Sequence, residues 1–184
     1  NHPNLHYLKD NGIYYISGIH FNVLSVFDKP IDYIKADSFE GDYKIALHHG
    51  SVHNASTDAG FTLSNTHVTT KMFEGHDLVL LGDIHKPQYL DDNKTIAYAG
   101  SLIQQNHGEA LGHGIMVWNL DTKKCEFVDI PNDYGYYTYQ IDNGKIINPS
   151  DKIPIRPRLR LKVKDTDSAT LKELVAKIKS KYKV

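Results

Sequence analysis

Residues 77–85 read DLVLLGDIH, an apolar run that ends in a glycine and is followed by an aspartate and a histidine. A continuous apolar run of this kind is typical of a strand that is buried on both faces of a sheet. A second short apolar strand is predicted over 44–48, KIALH, and it ends in His48. In open α/β sheets, ligand sites lie at the carboxyl ends of the parallel strands. If these two strands are parallel neighbours, we expect His48, Asp83 and His85 to converge on one edge of the sheet.

His48, Asp83 and His85 therefore form a candidate metal site. Imidazole and carboxylate ligands together suit Zn, Mn or Fe. Each residue also has a structural interpretation, because a histidine at a strand end is commonly a hydrogen-bonded surface residue. The Asp-x-His pair after an apolar strand and a glycine is the more specific of the two signals.

The composition predicts a globular protein of a reducing compartment. Hydrophobic residues make up 40% and charged residues 23% of the 184 residues, which is typical of a folded chain. The single cysteine excludes a disulfide within the chain. No apolar run approaches the roughly 18 residues of a membrane span, and no signal peptide is recognisable. We therefore expect an intracellular location, in the cytoplasm, the nucleus or a virus.

Positive charge is concentrated at the end of the sequence. Residues 152–184 contain eleven Lys or Arg and three Asp or Glu, although the whole chain has a formal net charge of -1. The stretch 155–164 alternates strictly, which predicts a strand, and a helix is predicted over 168–182. One face of the predicted strand carries five basic residues: Arg156, Arg158, Arg160, Lys162 and Lys164. Such a face indicates a polyanionic partner such as DNA, or else a solvated surface rich in lysine.

Several motifs together resemble the calcineurin-like metallophosphoesterases. They are LHHG at 47–50, GDIHKPQ at 82–88, YAGSLIQQNHGE at 98–109 and HGIMVWNL at 113–120. Within this superfamily the sequence looks most like the SbcD-type nucleases of DNA double-strand-break repair, with a good match over about residues 40–120. The segment PRLRLKVKDTD at 157–167 looks like the start of their DNA-facing capping domain.

The resemblance implies an α/β fold, namely part of a metallophosphoesterase-like two-sheet sandwich flanked by helices, followed by the start of a small α+β cap domain. Residues 1–145 would be the C-terminal part of the phosphoesterase domain, and 146–184 the start of the basic, DNA-contacting cap. The implied function is metal-dependent hydrolysis of phosphodiester bonds in DNA, by an exonuclease or endonuclease of repair or recombination. The implied cofactor is Mn²⁺ in a two-metal site. The implied partners are DNA, an SbcC-type ATPase and a second copy of the chain in a homodimer.

By the same resemblance, His48 corresponds to the lone histidine ligand of the family's middle motif, and His85 to the second histidine of its late motif. Asp83 stands where the family usually has a histidine, and a hard ion such as Mn²⁺ accepts the oxygen ligand in its place. The family's earlier Asp-x-His, Gly-Asp and Asn-His motifs are not recognisable, unless Asn1-His2 is the end of the last one. The chain is therefore expected to be an incomplete catalytic domain in which no catalytic residue is identifiable.

Other interpretations stay open. Gly-Asp-x-His also resembles the first motif of the serine/threonine phosphatases of the same superfamily, but no second Gly-Asp or Gly-Asn-His motif follows His85. The chain is alternatively a non-catalytic nucleic-acid-binding or scaffold piece. A third interpretation is another phosphatase or phosphodiesterase of this superfamily.

Overall fold

The computed structural model describes residue 5 and residues 7–182. Asn1 and His2, considered above as the end of an Asn-His motif, lie outside the described residues, as does Lys183 of the basic tail. The chain divides into two compact units. The first comprises Asn1–Ser101 with Gly114–Asp129, and the second comprises Leu102–His113 with Ile130–Val184.

A six-stranded mixed sheet organises the first unit. Its strands are β1 (Gly12–Ile16), β2 (Ile19–Val23), β3 (Lys44–His49), β4 (Leu78–Gly82), β5 (Gln88–Tyr89) and β6 (Ile96–Tyr98), in the spatial order β1-β2-β3-β4-β6-β5. The inner strands β2, β3, β4 and β6 are all parallel. The two edge strands, β1 and β5, each pair antiparallel with their neighbour. The carboxyl ends of the parallel strands therefore share one edge of the sheet.

The central strands are apolar because they are buried. Ala46, Val79 and Leu81 belong to one core cluster, in which Tyr98 of β6 is fully buried. Phe73, from the connection between β3 and β4, packs into the same cluster. Burying side chains of this size removes a large apolar area from water, which is the main favourable term in folding.

A separate hairpin completes the first unit. Strands β7 (Gly114–Asn119) and β8 (Lys124–Asp129) pair antiparallel. A turn at 121–123 lies between them, with Lys123 in the left-handed region at a φ of 52°. Its ammonium group forms an ion pair with the carboxylate of Asp77, which keeps the pKa of Lys123 above its usual value.

The second unit is a three-stranded sheet with one helix. Strands β9 (Tyr134–Asp142), β10 (Lys145–Ile146) and β11 (Arg156–Lys164) lie in the order β10-β9-β11, and β9 and β11 are parallel. Helix α1 (Ser168–Tyr182) follows β11. Asp167 caps it, because its Oδ1 accepts hydrogen bonds from the backbone N–H groups of Ala169 and Thr170. The strand and the helix that the sequence predicts after residue 155 are thus both present.

The predicted fold class, an α/β two-sheet sandwich flanked by helices, is wrong. Strands make up 35% of the chain and helices 14%, so the protein is rich in β structure. The connections into β3 and β4 contain 3₁₀ helices of three or four residues, at Pro30–Asp32, Ala36–Ser38 and Thr70–Phe73. Within residues 7–182, α1 is the one α-helix, and no helix there is long and apolar enough to cross a membrane.

Local sequence explains why helices do not flank the sheet. The connection 50–69 is rich in Ser, Thr and Asn, whose side chains bond to nearby backbone and so favour turns over helix. It folds back on itself through two isolated bridges, Val52 with Val68 and Ser56 with Thr62. Such pairing is incompatible with a helix over the same residues.

The compact units do not follow the predicted domain boundary at residue 145. Strand β9 ends before that boundary, but its nine-residue parallel pairing with β11 places it in the second unit. The assignment of 1–145 and 146–184 to a catalytic and a capping domain stays a prediction.

A half-buried histidine makes the stability of the first unit dependent on pH. His76 donates from Nδ1 to the carbonyl of Phe73 at 2.9 Å, and its Nε2 accepts from the side-chain amide of Asn22 at 2.9 Å. Burial lowers its pKa below the usual value, so the folded protein binds a proton less readily than the unfolded chain does. We expect stability to be full above about pH 6.5 and to fall as the pH drops below it, by at most about 1.4 kcal/mol per pH unit for this group.

Urea denaturation at about pH 7.5 and about pH 5.5 measures this effect. His76→Gln should reduce the difference between the two pH values, and His67→Gln, an exposed position, should leave it unchanged. Part of the dependence should persist, because burial also lowers the pKa of His48. If the difference in stability between the two pH values is as large in His76→Gln as in the unmodified protein, His76 is not the source of the pH dependence.

Candidate functional site

The condition on which the predicted site depends is met: the strand that carries His48 and the strand that ends before Asp83 lie side by side. β3 and β4 are parallel neighbours, with His48 opposite Leu81 and His49 opposite Gly82. The segments that follow them leave the sheet at the same place. We call this place, defined by His48, Asp83 and His85, the carboxyl edge.

His48 has the environment of a metal-binding histidine. Its side chain is buried, and Nδ1 donates a hydrogen bond of 2.7 Å to the carbonyl oxygen of Leu24. Because a carbonyl oxygen only accepts, Nδ1 carries the hydrogen and Nε2 carries a lone pair. That Nε2 is buried and has no hydrogen-bond partner among the described residues. Histidine ligands typically donate their second ring nitrogen to a carbonyl or carboxylate in this way, which fixes the tautomer and aims the other nitrogen.

Burial keeps His48 neutral. Desolvation lowers the pKa of its imidazole, and the electrostatic interaction with His49 acts in the same direction. The bond to Leu24 and the negative charge of Asp83 act in the opposite direction, which places the Asp83 carboxylate within electrostatic range of the ring. A neutral imidazole with a free lone pair is the form that binds a metal ion.

Asp83 lies directly after β4 in an unusual backbone conformation. Its φ is 94°, a region that residues with a side chain rarely adopt and that costs of order 1–3 kcal/mol. The exposed carboxylate accepts a hydrogen bond of 3.2 Å from the hydroxyl of Ser51, the residue that follows His-His-Gly after β3. Strain of this kind is often found at functional sites. Ser51 is a contact that the sequence did not single out.

His85 is exposed, and its backbone is held in place by the turn after β6. The carbonyl of His85 accepts from the backbone N–H of Ser101 at 3.0 Å. Gly100, with a φ of 76°, lies so close that a Cβ there would be 2.6 Å from the same carbonyl oxygen. The position of His85 thus depends on a glycine at residue 100.

The lone pair of His48 fits a divalent metal, but the three predicted ligands do not form a complete site. In the described part of the chain, no three His, Cys, Asp or Glu side chains are placed so as to hold one ion. The structure thus brings the three residues to the same edge without closing them around a common point. Further ligands would be needed for a two-metal centre.

Two hydrogen-bonded anchors hold the loops of the carboxyl edge. The hydroxyl of Tyr98 donates to the carbonyl of Gly50 at 2.6 Å and accepts from the N–H of Val52 at 3.0 Å. Gln88, at the end of GDIHKPQ, exchanges bonds of 2.8 Å with the backbone of Ser56. Neither anchor was predicted from the sequence.

A cavity of about 530 Å³ opens beside the carboxyl ends of β2, β3 and β4. Its lining includes His48, His49 and Gly82, together with Lys9. The space is large enough for a small ligand group, and the positive side chain of Lys9 favours an anionic one.

The second unit carries the predicted basic residues on one face of its sheet. In the parallel pairing, each basic residue of β11 lies opposite a polar or aromatic residue of β9, and side chains directly opposite each other share a face. We call this surface the basic face. It comprises Arg156, Arg158, Arg160, Lys162 and Lys164 of β11 with Tyr134, Tyr136, Thr138, Gln140 and Asp142 of β9.

Neutral partners hold the three arginines. The guanidinium of Arg156 donates to the hydroxyl of Tyr134 at 2.6 Å, and that of Arg158 donates to the hydroxyl of Tyr136 at 2.8 Å. Arg160 donates from Nε to the hydroxyl of Thr138 at 3.1 Å. Because hydroxyl groups carry no charge, these hydrogen bonds do not neutralise the arginines. Arg156 also lies within electrostatic range of the Asp133 carboxylate.

The far end of the basic face is partly neutralised. Lys164 lies 3.7 Å from a carboxylate oxygen of Asp165 and 4.0 Å from one of Asp142. Exposed ion pairs of this kind contribute little to stability, but they reduce the local positive potential. The arginine end is therefore the stronger site for an anion.

Three aromatic residues at the arginine end were not singled out from the sequence. Tyr134 and Tyr136 lie on the basic face, and the ring of His107 meets that of Tyr136 edge-on at 4.9 Å. The tyrosines could have been found from the sequence, because they lie two residues apart in DYGYYTYQ, as the arginines do in RPRLR. His107 comes from a distant loop, and its position followed from no local pattern.

No protein-family model matches the chain. The chain is 42% identical over 191 aligned residues to the uncharacterized protein R555 of Acanthamoeba polyphaga mimivirus. The alignment covers 98% of this chain and 14% of that protein, so the chain spans a small part of the length of the relative that it matches. The similarity relates the chain to a viral protein and assigns no activity.

Proposed function

We propose that the chain is part of a metal-dependent phosphodiesterase that acts on DNA, an exonuclease or endonuclease similar to the SbcD-type repair nucleases. The observation that carries the proposal is His48, whose buried Nε2 has no partner while Nδ1 donates to Leu24. A buried, unpaired lone pair costs free energy, and a metal ion at this position would offset that cost. The proposed location is intracellular, in the cytoplasm, the nucleus or a virus.

Each residue of the carboxyl edge has a proposed role. His48 and His85 would bind the metal through ring nitrogens, and Asp83 would add an oxygen ligand of the kind that Mn²⁺ prefers. A divalent ion bound there would supply an activated water and offset charge on the phosphate. Ser51 would orient the carboxylate of Asp83 through its hydrogen bond. The remaining ligands would come from sequence beyond these three residues.

The basic face has the complementary role of binding the DNA backbone. Contacts from arginine and lysine to phosphates are independent of base sequence and weaken as salt rises. The proposed partners are DNA, an SbcC-type ATPase and a second copy of the chain.

A second candidate function is non-catalytic nucleic-acid binding. The incomplete grouping of metal ligands within the described residues favours it, because the basic face would bind DNA without any metal. Another phosphatase or phosphodiesterase of the same superfamily is a third candidate, which DNA binding that is absent or insensitive to salt would favour.

The test is DNA cleavage with Mn²⁺ by the full-length protein that carries this sequence. We expect cleavage, and we expect His85→Ala to slow it about 100-fold or more, because losing a ligand weakens metal binding and with it the chemistry. His67→Ala, an exposed histidine outside the carboxyl edge, is the matched control and should cleave at the normal rate.

Two results would contradict the proposal. An unchanged rate of DNA cleavage in His85→Ala would show that His85 is not a metal ligand. Binding of DNA without cleavage, in a protein that retains no Mn²⁺ after dialysis, would favour the second candidate.

A further inference from the structure

The basic face of the second unit contains stacking surfaces as well as charges. Tyr134 and Tyr136 lie two residues apart on β9 and therefore point to the same side of the sheet. Tyr134 is 59% exposed, so its ring is accessible to a ligand. Exposed aromatic rings on a basic sheet are the surfaces on which unpaired bases stack.

Arginine pairs with each ring without occupying its centre. The guanidinium carbons of Arg156 and Arg158 lie 5.4 Å from the centroids of their tyrosine rings. Their Nη1 atoms bond to the tyrosine hydroxyls, so each guanidinium lies beside the hydroxyl end of its ring. This arrangement leaves ring surface for a base and puts a phosphate-binding group next to it.

The spacing of the rings distinguishes single-stranded from double-stranded DNA. Side chains two residues apart on a strand are separated by about 6.6 Å, since a strand rises about 3.3 Å per residue. Neighbouring bases in duplex DNA are about 3.4 Å apart along each strand. Two successive bases can therefore reach Tyr134 and Tyr136 only when the strand is stretched and unpaired.

A third ring extends the surface. His107 contacts Tyr136 edge-on with an interplanar angle of 75°, and its buried Nδ1 has no partner among the described residues. Gln104 fixes the loop that carries it, because the side chain of Gln104 accepts from the N–H of Tyr136 at 2.6 Å and donates to the carbonyl of Glu109 at 3.0 Å. The position of His107 beside the tyrosines is therefore built into the loop.

The opposite face of the same sheet is covered by the helix of the second unit. Tyr139 and Ile141 are buried there, and the hydroxyls of Tyr139 and Tyr182 of α1 are 2.9 Å apart. Helix α1 thus covers one face, and the basic face is the one on which a ligand has room to bind.

We propose that the basic face binds single-stranded DNA, with bases stacked on Tyr134 and Tyr136 and phosphates held by Arg156 and Arg158. This rests on the proposed role of the chain in acting on DNA and specifies the form of DNA that the second unit binds. The tyrosines provide the preference for single strands, and the arginines provide affinity for any DNA.

The test compares binding of an oligothymidylate of about 20 nucleotides with binding of a duplex of the same length, by fluorescence anisotropy at fixed salt. The variant Tyr134→Leu should weaken binding of the single strand about tenfold and change duplex binding less than about twofold. Tyr134→Phe keeps the ring and should bind the single strand nearly as tightly as the unmodified chain. Arg158→Gln should weaken binding of both DNAs.

A second measurement reports stacking directly. In the variant Tyr134→Trp, the single strand should quench the emission of the new indole, measured as the difference from the unmodified chain, which contains Trp118. Equal affinity losses for both DNAs in Tyr134→Leu, or no quenching, would overturn the stacking proposal and leave the DNA-binding function in place. Failure to bind either DNA would overturn both proposals.

Discussion

Replacing Gly100 with alanine should destabilise the first unit by about 2–4 kcal/mol and displace His85. Gly100 has a φ of 76°, where a side chain costs about 1–2 kcal/mol. A Cβ at this position would also lie 2.6 Å from the carbonyl oxygen of His85 and 2.9 Å from the backbone nitrogen of Pro87. These are backbone atoms and cannot move aside by a change of rotamer, so the segment that carries His85 must shift. Urea denaturation measures the loss of stability.

Gly60→Ala is the matched control for this substitution. Gly60 has a φ of 86°, but no atom lies within 4 Å of the position of its Cβ. Its replacement should cost only the conformational term of about 1–2 kcal/mol. The difference between the two variants isolates the clash with the His85 segment. Equal destabilisation of both would show that Gly100 does not position His85.

The two strands at the carboxyl edge were predicted from the sequence, because strand burial leaves a clear signal, whereas their pairing was assumed. DLVLLG is apolar without alternation, which predicts a strand covered on both faces, and KIALH predicts a second, short apolar strand. Both are present as β4 and β3, and they are the parallel neighbours that the predicted site requires. Parallel pairing brings the residues after both strands to one edge. The position of His48 and Asp83 was thereby accessible to reasoning from residues alone.

The architecture around those strands was not accessible in the same way. The expectation of flanking helices came from a resemblance carried by short motifs, and such motifs report a site and not the connections between strands. The connection 50–69 has the composition of turns, and the two bridges formed by Val52 and Ser56 fold it into a compact loop. For this connection, the residue composition indicated the structure, and the resemblance to the metallophosphoesterases did not.

Contacts between residues far apart along the chain were the hardest to predict from the sequence. The bond from Ser51 to Asp83 joins residues 32 positions apart, and the contact of His107 with Tyr136 joins residues 29 positions apart along the chain. Neither has a local period or a fixed spacing that marks it. The alternation of RPRLR predicted which residues face outward, but only the register with β9 revealed the tyrosines opposite the arginines.

The second large expected effect is the stabilisation of the folded protein by Mn²⁺. We expect this stabilisation to require His48. A ligand that binds the folded state alone stabilises it by about 2.7 kcal/mol at a concentration 100 times its Kd. We expect Mn²⁺ to raise the free energy of unfolding of the full-length protein by about this amount, and to give no such increase in His48→Leu. Urea denaturation with and without Mn²⁺ measures the increase.

His48→Leu is a suitable probe because its effect without metal should be small. The substitution removes a bond to the carbonyl of Leu24, which costs about 1 kcal/mol, and it also removes the unpaired Nε2 from a buried position, which offsets part of that cost. His67→Leu, at an exposed position, should keep the full response to Mn²⁺. A structural histidine would show the reverse pattern: a large loss of stability without metal and an unchanged response to Mn²⁺. The stability of His48→Leu without metal and its response to Mn²⁺ together therefore distinguish a metal ligand from a residue that only supports the fold, whether or not cleavage is detected.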